Sequence, residues 1–489
     1  MSRRAEAASI AAVLLATLAY HAATIDRQSL FVDEFSELEI ARLPISELIH
    51  KPDSMPPLYP LLLGGWNTVF GGDGAARWLS ALCGVGSVVL LWLVVRRIAD
   101  RATGVAAAAV LAAAPLHLYY AQFVRAYALM ELLAIAAAGA WALAERGDRR
   151  MLPAFVAASV AGVFTHYYFV LLLVTLLALS LIARRGRLSR GQWAALVAAA
   201  AIGSPVLVPL RSDFAFQKEL REARPLDAAA LGYTYASFFS GYTLGPSKAE
   251  LHTVGAKQAA AAMAPWLAGI AATAGPLAVA GFVRLRKQRL ALPVVALAVA
   301  PVLLAGVLGA VAGMTYNVRF VAWCVAPAAG LLGAGAVGPW RGWRAPAVLG
   351  LAAIAAAALA GRQTNPRYMT EDLRGAAGLL REEAAAGDAV LCVTDYQAPL
   401  LRYYAGEELG IEELPTPGER GQVFKSQEDA AEAAERIDSA AAGGAAWLVY
   451  SRPFHGDPAG LLIKELTERG TIESPHAELP GVVVYKIAE

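Results

Sequence analysis

Apolar residues run in long stretches separated by short polar connections. The stretches 7–24, 77–95, 103–120, 127–144, 151–168, 169–183, 192–210, 263–283, 290–312, 320–338 and 346–361 approach or exceed the roughly 17 residues a helix needs to cross a bilayer. The pattern predicts an α-helical polytopic membrane protein with about eleven transmembrane helices. Arg3-Arg4 before Ala8 to Ala23 imitates a signal peptide, but no small-x-small cleavage site precedes a soluble chain, so this stretch reads as a retained first span.

Charge in the connections alternates. Arg96-Arg97 with Arg101, Arg146 with Arg149-Arg150, Arg184-Arg185 with Arg187 and Arg190, Arg284 to Arg289, and Arg341 with Arg344 fall on the side of Arg3-Arg4. The positive-inside rule makes that side cytoplasmic, and an odd span count sends the C-terminus outside. The outer segments are then 25–76, 121–126, the join near His166, 211–262, 313–319 and everything after Gly361. In the first, Leu38, Ala41, Ile45, Leu48 and Ile49 recur at helical spacing with Glu37, Glu39, Arg42 and Glu47 between them. This predicts helices lying in the membrane surface, split at Pro44.

After Gly361 the character changes to 22 acidic against 12 basic residues with no spanning stretch. Helical runs near Glu371 to Ala386 and Glu428 to Ala440 alternate with strand-like Ala389 to Thr394, Ala445 to Tyr450 and Gly481 to Ile487. The expected domains are therefore 1–361, a transmembrane body, and 362–489, a small soluble α/β domain without a nucleotide-binding glycine fingerprint. Composition agrees: 57% hydrophobic over 489 residues and a mean hydropathy of +0.48 exclude an ordinary soluble protein. Three cysteines, Cys83 and Cys324 in apolar spans and Cys392 in a strand, assemble no disulfide framework or metal cluster.

Candidate chemistry lies on the outer side. Asp33-Glu34 suits a helix N-terminus, where acids cap and neutralise the dipole, and equally a general base with an orienting neighbour whose pKa partial desolvation would raise. In His50-Lys51-Pro52-Asp53-Ser54-Met55-Pro56-Pro57-Leu58-Tyr59, prolines favour a rigid return to the membrane. Lys51 would either snorkel among headgroups or meet a phosphate, and Asp53 would hold a hydroxylated substrate or pair with the lysine. Arg125 in Tyr119-Tyr120-Ala121-Gln122-Phe123-Val124-Arg125-Ala126-Tyr127 and Arg319 in Thr315-Tyr316-Asn317-Val318-Arg319-Phe320 stand at outer span ends. An arginine there is costly without a carboxylate or phosphate, and its planar fork suits both; interfacial anchoring is the plainer alternative. Thr165-His166-Tyr167-Tyr168 adds a turn histidine, more often structural than catalytic, and Arg211 with Asp213 is a further possible phosphate contact or a solvated loop pair.

In order, these pieces resemble the GT-C superfamily of polytopic glycosyltransferases, specifically the glycosyltransferase family 39 type of protein O-mannosyltransferases and lipid A aminoarabinose transferases. The resemblance spans about residues 7–361 and rests on Asp33-Glu34, Asp53 to Tyr59, Arg77 with Leu79-Ser80, Pro115 with Tyr119-Tyr120, Gln122 with Arg125 and Tyr127, and Asn317 with Arg319. It implies a polyprenyl-phosphate sugar donor and a glycan, lipid or protein acceptor hydroxyl at the outer face of a bacterial cytoplasmic membrane. Asp33 maps by position to the family's catalytic aspartate, with Glu34 beside it. One departure stands out, since many bacterial relatives carry Glu after the Gln of the third cluster and this chain has Phe123.

A sugar leaving on phosphate needs cations more than a strong acid, which assigns Lys51, Arg125, Arg211 and Arg319 to the donor phosphate. Asp53, Tyr59, Tyr127, His166 and Tyr167 are assigned to substrate binding. Asp33 would take the acceptor proton through an oxocarbenium-like transition state with inversion. No metal is required on this reading; Asp33-Glu34 would have no nearby histidine to complete a specific site. A flippase of lipid-linked sugars would also want outer cations, but transporters show internal repeats and midplane polar breaks, and neither is evident. A third reading, a noncatalytic scaffold, would use only the outer domain.

Overall fold

In the computed structural model, residues 1–48, 55–183, 188–208, 226–247, 249–254, 256–313, 316–338, 342–414 and 424–487 are described. The chain divides into two compact units, each built from separate stretches. The first comprises Met1–Ile25, Ser36–Leu244 and Met263–Leu359; the second comprises Asp26–Phe35, Gly245–Ala262 and Ala360–Glu489.

The first unit is a bundle of apolar helices, and the chain is a multi-pass membrane protein. Among the described residues seven helices are long and apolar enough to cross a membrane: Arg3–Thr24, Asp73–Ile98, Tyr127–Glu145, Ala261–Arg286, Ala291–Val311, Val318–Ala336 and Arg344–Thr364. A further pair, Arg101–Ala113 and Pro115–Ala121, is long and apolar enough only when taken together, and its two helices meet at 66°. Pro115 lacks an amide hydrogen and forces Ala114 into an extended conformation, so the bend is written locally. The expected spans at 151–168, 169–183 and 192–210 correspond to helices Leu152–Val163, Val170–Ala183 and Arg190–Gly203 of 12, 14 and 14 residues. Each falls short of the roughly 20 residues of a straight crossing. His166, extended and capping the next turn, interrupts the first two; Ser204-Pro205 turns the third into a 3-10 segment.

The basic connections gather at one end of the bundle. Glu6, only 3% exposed, meets Arg96 Nε at 3.2 Å and Arg101 Nε at 3.3 Å and accepts from Trp92 Nε1. Arg284 pairs with Asp100 at 3.0 Å, and Arg146 donates to the Ile98 carbonyl. Small residues let the helices touch through their backbones, the packing expected where lipid removes any hydrophobic gain between helices. A Cβ on Gly335 would strike the Leu277 carbonyl, and one on Gly281 the Leu331 carbonyl, so the two helices are reciprocally keyed. Gly335→Val is expected to cost roughly 1–3 kcal/mol by overpacking. Thermal unfolding in detergent reads this directly; an unshifted transition would refute the keyed contact.

Pro44 separates helices Val32–Ala41 and Ile45–Leu48 as the pattern predicts. The predicted face is revised in detail. Leu38, Ile40 and Leu48 are buried, but Ile45 is 60% exposed, and Glu37, expected on the charged face, is buried to 1%.

The second unit carries the predicted α/β domain: β1 (Ala389–Val393), β2 (Ile411–Leu414), β3 (Ala446–Ser451), β4 (Ala477–Leu479) and β5 (Val482–Ile487), in the order β2-β1-β3-β5-β4. β1 pairs in parallel with β2 and β3, and β5 runs antiparallel to β3 and β4. Leu391, Val393, Leu448 and Ile487 form a core with Ile437, Leu462 and Leu466 from the helices Gln427–Ala441 and Leu461–Glu468. Residues from the first outer segment complete this unit. Ser29 Oγ donates to Asp372 Oδ1 at 2.6 Å, the Leu30 amide donates to Tyr404 Oη at 2.9 Å, and the Thr370 amide donates to Gln28.

Candidate active site

In the membrane unit, residues from three distant connections surround one histidine. The bent helix Pro115–Ala121 delivers the chain into a tight turn in which the Arg125 amide donates to the Phe123 carbonyl. Arg125 Nη1 donates to Glu37 Oε2 at 2.8 Å, with the two side chains 12% and 1% exposed. Asn317 caps the 3-10 segment Val318–Cys324 by accepting from the Arg319 amide at 3.1 Å, which fixes the start of the element carrying Arg319. The Arg319 guanidinium lies 5.4 Å from the Phe320 ring, and Phe320 stacks on Tyr168 at 4.4 Å.

His166 is buried among them, its ring 5.7 Å from Tyr127 and 5.9 Å from Phe320. Its Nδ1 accepts from the Tyr168 amide at 3.2 Å, which leaves the proton of a neutral ring on Nε2. That Nε2 meets no hydrogen-bond partner among the described residues. Burial first, then the charges of Arg319 and Arg125, push the His166 pKa down from 6.5 to about 3. The ring is therefore neutral at physiological pH. Two guanidinium groups, one of them already paired with Glu37, and a neutral N–H donor can together hold an anion.

Asp33 and Glu34 open helix Val32–Ala41 and belong to the second unit. Glu34, 1% exposed, accepts from the Phe31 amide through Oε2 at 2.9 Å and so closes the turn before the helix. The capping role considered for the pair thus falls to Glu34. Asp33 is half-buried.

Tyr59 is fully buried with its hydroxyl 2.8 Å from Ser80 Oγ. Tyr127 packs 4.7 Å from Tyr120, and Tyr167 begins the 3-10 turn Tyr167–Phe169 after His166. Arg77 is buried and donates to the Ile25 carbonyl, tying off the first helix; Gln122 donates to Thr24 Oγ1. Phe123 stacks on Tyr119 at 5.5 Å. Lys51, Asp53 and Arg211 lie outside the described residues. Among the described residues no three His, Cys, Asp or Glu side chains converge as metal ligands would. The sequence pattern puts Glu37 on the charged face of its helix; only its pairing with an arginine 88 positions away reveals its buried role.

The bundle of apolar helices, the helix opened by paired acids and the C-terminal α/β domain share their fold with polytopic membrane proteins of known structure. Residues 54–208 match the model of the dolichyl-phosphate-mannose-protein mannosyltransferase family. The chain superposes on ArnT from Cupriavidus metallidurans in the apo state with a TM-score of 0.59 at 15% identity, over 99% of this chain and 98% of that one. The same protein bound to undecaprenyl phosphate gives 0.55 at 15% identity, over 98% and 97%. The Archaeoglobus fulgidus oligosaccharyltransferase in complex with Zn and sulfate gives 0.55 at 14% identity, over 94% of this chain and 70% of that one. No curated protein matches the chain by sequence alone.

Proposed function

We propose that this protein is a membrane glycosyltransferase that moves a sugar from a polyprenyl-phosphate donor to an acceptor hydroxyl at the outer face of the bacterial cytoplasmic membrane. The observation that carries the reading is the group of buried, neutral His166 with the partly buried Arg125 and Arg319, two cations and a donor at the ends of apolar helices. A lipid-linked phosphate is an anion delivered at that depth. An apolar groove lined by Leu58, Pro153, Val156, Val160, Phe164 and Ile202 offers a surface for an isoprenoid tail. The match to ArnT bound to undecaprenyl phosphate and the mannosyltransferase family model favour the same donor class.

In this mechanism Arg125 and Arg319 neutralise the charge that grows on the leaving phosphate, with His166 Nε2–H as a further donor. Lys51 and Arg211 are proposed to join them, and Asp53, Tyr59, Tyr127 and Tyr167 to shape the substrate site. Asp33 removes the acceptor proton as the hydroxyl oxygen attacks the anomeric carbon from the face opposite the phosphate. The new glycosidic bond forms as the sugar–phosphate bond breaks, which inverts the anomeric centre. Glu34 holds the turn that carries Asp33. The step balances without a metal ion.

The test compares membranes with and without the protein by mass spectrometry of their lipids and surface glycans, then reconstitutes the protein with the sugar-lipid that accumulates in its absence. Release of free polyprenyl phosphate with the sugar on a new hydroxyl is the expected result. Movement of intact sugar-lipid between leaflets without cleavage would favour a flippase instead.

A further inference from the structure

The two central parallel strands of the C-terminal sheet, β1 and β3, both end in a strained residue. Thr394, directly after β1, has φ 75°, and Arg452, directly after β3, has φ 49° and ψ 51°. Neither is glycine, and a side chain in the left-handed region persists only where its surroundings hold it there. Thr394 Oγ1 donates to the Ser451 carbonyl at 2.9 Å, which locks the two strand ends together. The chain passes from β1 outward to β2 on one side and returns to β3 on the other, so these ends flank the switch point of the sheet. In open α/β sheets that is where function concentrates.

What fills this place is a buried cation. Arg452 is 9% exposed, and its guanidinium lies 4.9 Å from the Phe31 ring, 5.1 Å from Phe454 and 5.7 Å from Tyr396. Its Nη1 stands 3.4 Å from Glu371 Oε1, while its Nε is buried with no hydrogen-bond partner among the described residues. The Tyr396 side chain also hydrogen-bonds the guanidinium, which still leaves part of its five donors without a partner among the described residues. Phe31 is two residues before Asp33, on the segment that Asp372, Tyr404 and Thr370 stitch into this same unit.

We propose that Arg452 is a positioning residue for Asp33: clamped between the Phe31 and Phe454 rings, it holds a fixed positive charge beside the acid and thereby makes the C-terminal domain a working part of the transfer step. The proposal rests on the reading of Asp33 as the base. Electrostatics are consistent with it. Burial alone would lower the Arg452 pKa, yet the charges of Glu371 and Asp33 and a hydrogen bond with Tyr396 hold it above the ordinary arginine value. Burial raises Tyr396 to about 12 against the opposing charge of Arg452, so this tyrosine stays a neutral hydroxyl. The other ionisable groups facing the cluster are Glu34 on the helix of Asp33, Asp395 beside Tyr396, and His455 and His252 stacked around Phe454. A nearby cation keeps a carboxylate ionised, and hence able to accept a proton, at a lower pH than it would otherwise reach.

The decisive measurement is the protonation of Asp33 itself in the full-length protein in liposomes. A hydrophobic carbodiimide modifies protonated carboxyls, and peptide mass spectrometry across a pH series gives the midpoint for Asp33. Arg452→Gln is expected to move that midpoint upward by roughly one pH unit, a tenfold change in protonated fraction. Arg452→Lys should largely restore it. Glu371→Gln, which removes the carboxylate competing for Arg452, should move it downward and covers the case in which Arg452→Gln fails to fold. A midpoint unmoved in Glu371→Gln and in a folded Arg452→Gln overturns the proposal. A moved midpoint together with sugar transfer that survives Asp33→Asn would leave the pairing standing and remove the role of Asp33 as base.

Discussion

Asp33→Asn is expected to slow sugar transfer by roughly 10²–10⁴-fold or more, the range lost when a general base is removed, while leaving the protein folded and its donor bound. The amide keeps the size and the acceptor oxygen of the carboxylate, so packing is preserved. What it loses is the capacity to take a proton from an attacking hydroxyl. The turn Gln122–Arg125 carries no carboxylate of its own, which leaves less to compensate. The structural job at the start of helix Val32–Ala41 belongs to Glu34, whose carboxylate accepts from Phe31, so the Asp33 substitution does not unpick the cap. Transfer measured in single turnover, beside binding of undecaprenyl phosphate to the same variant, separates chemistry from affinity. Wild-type turnover by Asp33→Asn would refute the assignment.

Arg125→Ala is expected to have the second large effect, on two quantities at once. Removing one partner of a buried ion pair strands the other, and Glu37 is 1% exposed; such losses run to about 3–5 kcal/mol. The variant should therefore unfold at lower temperature and also bind undecaprenyl phosphate weakly. The double variant Arg125→Ala with Glu37→Leu separates the two, since it removes the stranded charge without restoring a cation. Its thermal stability should recover and its affinity for undecaprenyl phosphate should not. Affinity that recovers along with stability would mean that Arg125 serves only to neutralise Glu37.

The long spans, the split at Pro44 and the alternation of helix and strand after Gly361 are legible in the sequence because each depends on local pattern, whereas the bend at Pro115 falls inside the stretch 103–120, which reads as one continuous span. The three short helices were not distinguished from spans, because Ala-rich and Leu-rich runs look alike whether or not a turn such as His166 interrupts them. β2, Ile-Glu-Glu-Leu, was invisible as a strand: it is an edge, where charged residues are tolerated and the alternating signal is weak. The helix Ala398–Ala405 and the strand β4 were too short to carry a period of their own. At the site, Arg125, His166 and Arg319 could be picked out one by one as polar residues at span ends, but their gathering around one ring depends on contacts between segments far apart in sequence. Glu37 and Arg452 show the limit most plainly. Nothing in Ser-Arg-Pro-Phe announces a left-handed arginine, and nothing around Glu37 names its partner.

The stitching of Asp26–Phe35 into the C-terminal unit also fixes an order of events during synthesis. Ser29 finds its partner Asp372 only after another 343 residues have been made, and Leu30 waits longer for Tyr404. Chains fold from the N-terminus as they emerge, so the segment bearing Asp33 is completed only after these later residues are made. A nascent or truncated chain would hold its helices in the bilayer with this acid not yet set. The setting of this acid is therefore a property of contacts made across the sequence, and it is lost if residues 370–404 are lost.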